Sequence, residues 1–209
     1  MNLKQTALVA SLSLAGLAAS ADAAPMTYLG AGGAVPPSGT SGLFTDTITV
    51  TDDVSIADVS LTLTDFSHSW IGDFYATLVF DDGVNPLVSL ELFGDDGSLG
   101  PSNDVNGTYE FVDGGAADFA SAGNPVPSGS YAASGSFSVF QGLSSAGSWT
   151  LNLDDQHGGD SGSLGSWSLT IDGRANGGGN GGAPVPLPGS LALLAAGLLG
   201  LRARYARKV

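Results

Sequence analysis

The sequence predicts an all-β domain, and three observations carry that reading. Short apolar-polar alternations recur between residues 28 and 173, separated by clusters of Gly, Asn, Asp, Ser and Pro, which is the pattern of a sandwich or barrel. No run in this interval keeps a 3.6-residue period without interruption by glycine or a β-branched residue, so nothing there supports a long helix. Finally, 43% of residues are hydrophobic and only 12% charged, so the chain has the means to build a core and is no charged disordered tail.

The elements are taken in chain order. Lys4 precedes a mostly apolar run from Ala7 to Ala19, and Ala19-Ser20-Ala21 and Ala21-Asp22-Ala23 offer two small-residue cleavage sites. This is the form of a secretory signal peptide over residues 1–24, and it places the start of the mature chain between Asp22 and Pro25. A β domain is then expected over residues 25–174. From Ile56 to Thr64, Val59, Leu61 and Leu63 share one face while Ser60, Thr62 and Thr64 share the other, at the two-residue period of a half-buried strand. Tyr75 to Phe80, Leu87 to Phe93 and Thr108 to Val112 are further strand candidates.

Two segments echo each other, Ser148-Trp149-Thr150-Leu151-Asn152-Leu153-Asp154-Asp155 and Ser166-Trp167-Ser168-Leu169-Thr170-Ile171-Asp172-Gly173. Each puts Trp and two aliphatics at alternate positions, so Trp149, Leu151 and Leu153, and Trp167, Leu169 and Ile171, should face the core. About 150 residues suffice to fold without disulfides, and the chain has no cysteine. Thiolate zinc sites and cysteine nucleophiles are excluded with them.

Residues 175–183 form a glycine-dominated linker. Beyond it come Val185-Pro186-Leu187-Pro188, an uncharged run to Leu201, and the basic residues Arg202, Arg204, Arg207 and Lys208. The run is just long enough for a membrane-spanning helix, with residues 187–201 in the inner membrane and the basic end in the cytoplasm. Residues 184–209 resemble the bacterial PEP-CTERM sorting signals, in their VPLP variant, although Leu187 stands where the commonest form has Glu. That resemblance implies export, cleavage by an exosortase near the proline motif, and bacteria that make extracellular polysaccharide. Hydropathy alone does not separate such a signal from an anchor that is kept.

Within the β domain, His68-Ser69-Trp70-Ile71-Gly72-Asp73-Phe74, the strand Ala76-Thr77-Leu78-Val79-Phe80, Gly147-Ser148-Trp149-Thr150-Leu151, and Gly159-Asp160-Ser161-Gly162-Ser163-Leu164-Gly165-Ser166-Trp167 resemble the P domain, or Homo B domain, of subtilisin-like proprotein convertases. The resemblance implies an eight-stranded jelly-roll, which in the convertases packs beside the catalytic domain and supports its folding. A subtilisin-type catalytic domain needs a Ser-His-Asp triad on a large α/β scaffold, and the chain offers His68 and His157 within or beside P-domain motifs instead. No catalytic residue is expected. A non-catalytic exported module is therefore predicted, with a binding or structural role at the cell surface or extracellular matrix. The alternatives are a domain that stabilises a separately encoded subtilisin-like protease in trans, and a calcium-dependent carbohydrate-binding jelly-roll directed at polysaccharide.

Charge narrows the partners. Residues 25–183 hold nineteen acids and one base, Arg174, a formal charge of −18. Nucleic acid is excluded, because phosphate binding needs clustered Lys and Arg. A cation is favoured, since self-repulsion at that density destabilises the compact state unless it is neutralised. Three acidic glycine-containing loops, at Asp81-Asp82-Gly83, Gly94-Asp95-Asp96-Gly97 and Asp154-Asp155-Gln156-His157-Gly158-Gly159-Asp160, could supply hard oxygen ligands to calcium. Asp154, Asp155, Asp160, Asp95 and Asp96 are the candidate ligands. The competing explanation is that Asp and Gly simply suit turns. Ser102, Asp104, Asn106, Gly107 and Asp113 fall at EF-hand-like offsets without flanking helices, and Asp73 and Asp160 suit a structural part as acceptors of backbone N–H groups.

Overall fold

The computed structural model describes residues 24–36, 40–94 and 100–175. The expected signal peptide, most of the linker, the sorting segment with its helix at 187–201, and Asp95 and Asp96 lie outside the described residues. Among the described residues no helix is long and apolar enough to cross a membrane.

The described chain is all-β. Nine strands form two sheets: β1 (Met26–Val35), β2 (Gly42–Val50), β3 (Val54–His68), β4 (Phe74–Asp81), β5 (Val88–Gly94), β6 (Val105–Ala116), β7 (Gly129–Tyr131), β8 (Gly147–Asp155) and β9 (Gly162–Ala175). One sheet has the order β1-β9-β3-β6-β7 and the other β2-β8-β4-β5. All pairings are antiparallel except β6 with β7.

The two sheets face each other across a core that alternation builds. On β8, Trp149, Leu151 and Leu153 are fully buried, and on β9 so are Trp167, Leu169 and Ile171, the two sets expected from the echo in the sequence. Each indole needs a partner for its N–H when buried. Trp149 Nε1 donates to the Ser145 carbonyl at 3.1 Å and Trp167 Nε1 to Asp46 Oδ2 at 2.7 Å. Around them lie aromatic clusters, Trp149 with Phe80 and Phe140, and Phe119 with Phe93, Phe111, Tyr109 and Tyr131.

Strand β3 is the longest and breaks its own alternation twice. Its inward residues run Val54, Ile56, then Val59, Leu61, Leu63, then Phe66 and His68, because its pairing with β9 shifts register between Ile56 and Asp58 and its pairing with β6 shifts between Leu63 and Phe66. At the second shift Asp65 takes φ +51°, a left-handed conformation that Asp tolerates better than most residues. The extra residue reverses the phase of the rest of the strand. Without it Asp65 and Ser67 would face the core; with it Phe66 and His68 do.

Candidate functional site

The second irregularity of β3 delivers His68 to the end of the core, its side chain fully buried. Alternation on β8 delivers Asp155 to the same place, because Asp155 continues the inward series of Trp149, Leu151 and Leu153. Asp155 lies opposite Phe74, the first residue of β4, and the His68 ring meets the Phe74 ring edge-on with centroids 4.6 Å apart. His68 Nε2 and Asp155 Oδ2 are 3.6 Å apart, both side chains at 0% exposure.

The loop between β8 and β9 brings the third member. Asp160 Oδ2 lies 3.9 Å from His68 Nδ1, with 16% of its side chain exposed, and accepts a hydrogen bond from Ser69 Oγ at 3.3 Å. Gly162 lets β9 begin this close to β3: a Cβ there would collide with the Ser67 carbonyl. The 3-10 turn Ile71–Asp73 between β3 and β4 adds Asp73. Backbone hydrogen bonds hold this turn on both sides, from Ile71 and Gly72 to the carbonyls of Asn103 and Pro101, and from Gln156 to the Asp73 carbonyl.

His68, Asp155 and Asp160 can each present one ligand atom such that all three lie within 4.8 Å of one another. Several of the polar atoms in this region are left over by the fold. His68 Nε2, Asp155 Oδ2, Asp73 Oδ1 and His157 Nε2 are buried without a hydrogen-bond partner, although buried polar atoms are nearly always paired. The remaining links are backbone ones: Asp155 Oδ1 accepts from His157 N at 3.1 Å. His68 Nδ1 lies 3.1 Å from Trp70 N and 3.2 Å from Trp70 O. It accepts from the first in one tautomer and donates to the second in the other.

Burial and neighbouring charges set the electrostatics of the group. Burial raises the Asp155 carboxyl above its ordinary range, with Asp160 and Asp73 adding to the rise and the His157 backbone N–H and His68 opposing it. Burial likewise raises Asp73, reinforced by Asp160 and opposed by His157 and His68. Beside the cluster opens a pocket of about 490 Å³ lined by Ser69, Trp70, Asp73, His157, Gly158, Gly159 and Asp160. Trp70 is 40% exposed and gives this mouth an aromatic wall.

The acidic residues singled out in the sequence have different fates. Asp155 and Asp160 come together, whereas Asp154 points to the opposite, outer side of β8, as neighbours on a strand must. Asp82 closes its own turn, accepting from Val84 N, Asn85 N and Asn85 Nδ2, which holds its carboxyl below the usual range. Asp104 to Asp113 run into or along β6, where extension spreads the EF-hand-like positions along a line. Asp73 Oδ1 has no hydrogen-bond partner, unlike the turn acceptor expected. His68, which the sequence places among the P-domain motifs without assigning it a ligand role, is both packed against Phe74 and part of the cluster. The signal that would have paired it with Asp155 is its place at the end of an inward series, which the two shifts on β3 disguise.

Two family models match the chain. One, the proprotein convertase P-domain, covers residues 56–171, and the other, the PEP-CTERM protein-sorting motif, covers residues 184–208. No curated protein matches. Among solved structures, a serine protease of Aeromonas sobria is similar at 16% identity and TM-score 0.39, over 72% of this chain and 27% of that one. The complex of the Aeromonas sobria serine protease with the chaperone is similar at 13% identity and TM-score 0.38, over 74% and 28%. The chain thus spans roughly a quarter of the length of either matched structure.

Proposed function

Because the chain belongs to the proprotein convertase P-domain family, we propose that it works as an exported, non-catalytic P-domain module with a binding or structural role at the bacterial cell surface or extracellular matrix. The observation that carries this reading is the order of the two family matches, a P-domain at 56–171 followed by a sorting motif at 184–208. The sorting motif implies an exported protein processed by an exosortase. Residues 25–174 are the delivered module and residues 1–24 and 184–209 the address labels.

The chemistry of the described site fits a binding role. Its serine hydroxyl, Ser69 Oγ, donates to a carboxylate and not to an imidazole. A serine nucleophile needs a base to take its proton, and His68 turns its Nε2 towards Asp155 instead. Strand orders β1-β9-β3-β6 and β2-β8-β4-β5 support reading the sandwich as a jelly-roll, since the chain crosses between sheets at most of its connections.

A second reading, that the module stabilises a separately encoded subtilisin-like protease in trans, draws on the family itself, which is named for domains of proprotein convertases. Co-purification with such a protease from the producing cells separates the two. The test of the leading reading is an assay of the purified full-length protein against a panel of peptide substrates. No hydrolysis above the buffer rate is expected. Hydrolysis abolished by one substitution in the β domain would overturn it.

A further inference from the structure

We propose that His68 Nε2, Asp155 and Asp160 bind one divalent transition metal of zinc's class, entering through the pocket beside Trp70 and Asp73. Four observations converge. His68 from the end of β3, and Asp155 and Asp160 from the end of β8 and the loop after it, can each bring one ligand atom to within 4.8 Å of the others. Two of the donor atoms, His68 Nε2 and Asp155 Oδ2, are on fully buried side chains, face each other, and have no hydrogen-bond partner.

Their separation of 3.6 Å is too long for a hydrogen bond. It matches two donors on one tetrahedral ion, since bonds of about 2.0 to 2.2 Å put neighbouring ligands about 3.3 to 3.6 Å apart. Asp160 Oδ2 lies 3.9 Å from the other His68 ring nitrogen, Nδ1, so Asp160, on a loop and partly exposed, is the member that must swing towards Nε2 to complete the set. A route from solvent exists as well, because Asp160 lines the 490 Å³ pocket together with Asp73 and His157, whose Oδ1 and Nε2 are themselves unpartnered.

Of the two tautomers that the Trp70 backbone can hold, one supports a ligating Nε2. A ligating histidine characteristically donates its other ring N–H to a carbonyl or carboxylate, which fixes the tautomer and frees the ligating nitrogen. His68 Nδ1 lies 3.2 Å from the Trp70 carbonyl, so the tautomer protonated at Nδ1 leaves Nε2 bare and aimed at Asp155. Two carboxylates and a divalent ion sum to zero charge, which relieves the mutual repulsion of Asp155 and Asp160 in a water-poor setting.

The donor set decides the metal class. Imidazole nitrogen suits zinc, nickel or copper, whereas calcium wants six to eight oxygens. Of the acids expected to serve calcium, Asp154 faces away from this cluster.

The test uses the full-length protein stripped of metal by chelation and titrated separately with Zn2+ and Ca2+. One equivalent of Zn2+ is expected to raise the melting temperature and shift the His68 ring resonances, with Ca2+ doing neither. Asp160→Asn, a substitution at the rim, is expected to leave the metal-free melting temperature in place and weaken Zn2+ binding about tenfold or more. Asp154→Asn should bind Zn2+ as the parent does. The proposal is overturned if Zn2+ does not move the melting temperature, if Asp160→Asn binds it as tightly as the parent, or if Ca2+ alone binds. A bare His68–Asp155 ion pair would give the first of these results.

Discussion

Asp46 satisfies two donors with one oxygen: its Oδ2 accepts from the buried Trp167 indole at 2.7 Å and from Ala31 N at 2.8 Å, tying β2 to both β9 and β1. Truncation leaves the indole N–H buried without a partner, and such a group costs about 1 to 3 kcal/mol. Asp46→Ala is therefore expected to lower stability by about that amount, read from the midpoint of urea denaturation. Tyr28 offers a pH test. Burial, with its hydrogen bond to Asp52 at 2.8 Å, pushes its hydroxyl up to about 12. The folded state then holds the phenol proton that the unfolded chain loses near pH 10, so this contribution is complete below pH 10 and is lost as pH rises towards 12. Tyr28→Phe should flatten the fall in stability across that window. At this scale the sequence was informative about which acids are near turns, but not about which face inwards. Asp154 and Asp155 look alike in one dimension and point to opposite sides of β8.

Strand β3 shows what alternation reveals and what it hides. Its central face, Val59, Leu61 and Leu63, is legible from spacing and is buried as expected. The shift at Asp65 has no signature beyond an Asp where the pattern slips, so the inward placement of Phe66 and His68 could not be read locally. The site inherits that difficulty: His68 ends β3, while Asp155 ends β8 and Asp160 precedes β9, and pairing across about 90 residues is fixed by sheet order. Left-handed backbone costs a residue with a Cβ about 1 to 2 kcal/mol, least for Gly, Asn and Asp. Asp65→Val is thus expected to destabilise the domain by about that amount and Asp65→Gly to change stability little, as thermal melts of the two variants would show. The segments carrying Trp149 and Trp167 were legible because Trp149, Leu151 and Leu153, and Trp167, Leu169 and Ile171, keep a period of two, whereas the buried Leu164 at the start of β9 lies out of that phase.

For the molecule as a whole, nineteen acids against one base over residues 25–183 make charge a global term. Salt screens repulsion between exposed carboxylates, so the melting temperature should rise with sodium chloride before any divalent ion is added, and a flat response would show that their repulsion contributes little to stability. The same asymmetry works against association with phosphate-bearing partners and favours accumulation of cations at the surface. The all-β class and the family were legible from motif order along the chain, since each motif falls on a strand or turn of the sandwich whatever the order in which the sheets arrange them. What the module binds was not legible, because binding depends on which loops meet at the ends of the sandwich. The central claim, that a non-catalytic P-domain is carried out of the cell and freed of its address segments, is tested most directly by the intact mass of the protein recovered from the surface and medium of the producing bacterium. The account predicts a species that begins between Asp22 and Pro25 and ends near the Val185-Pro186-Leu187-Pro188 motif. A full-length chain confined to the cytoplasm would contradict it.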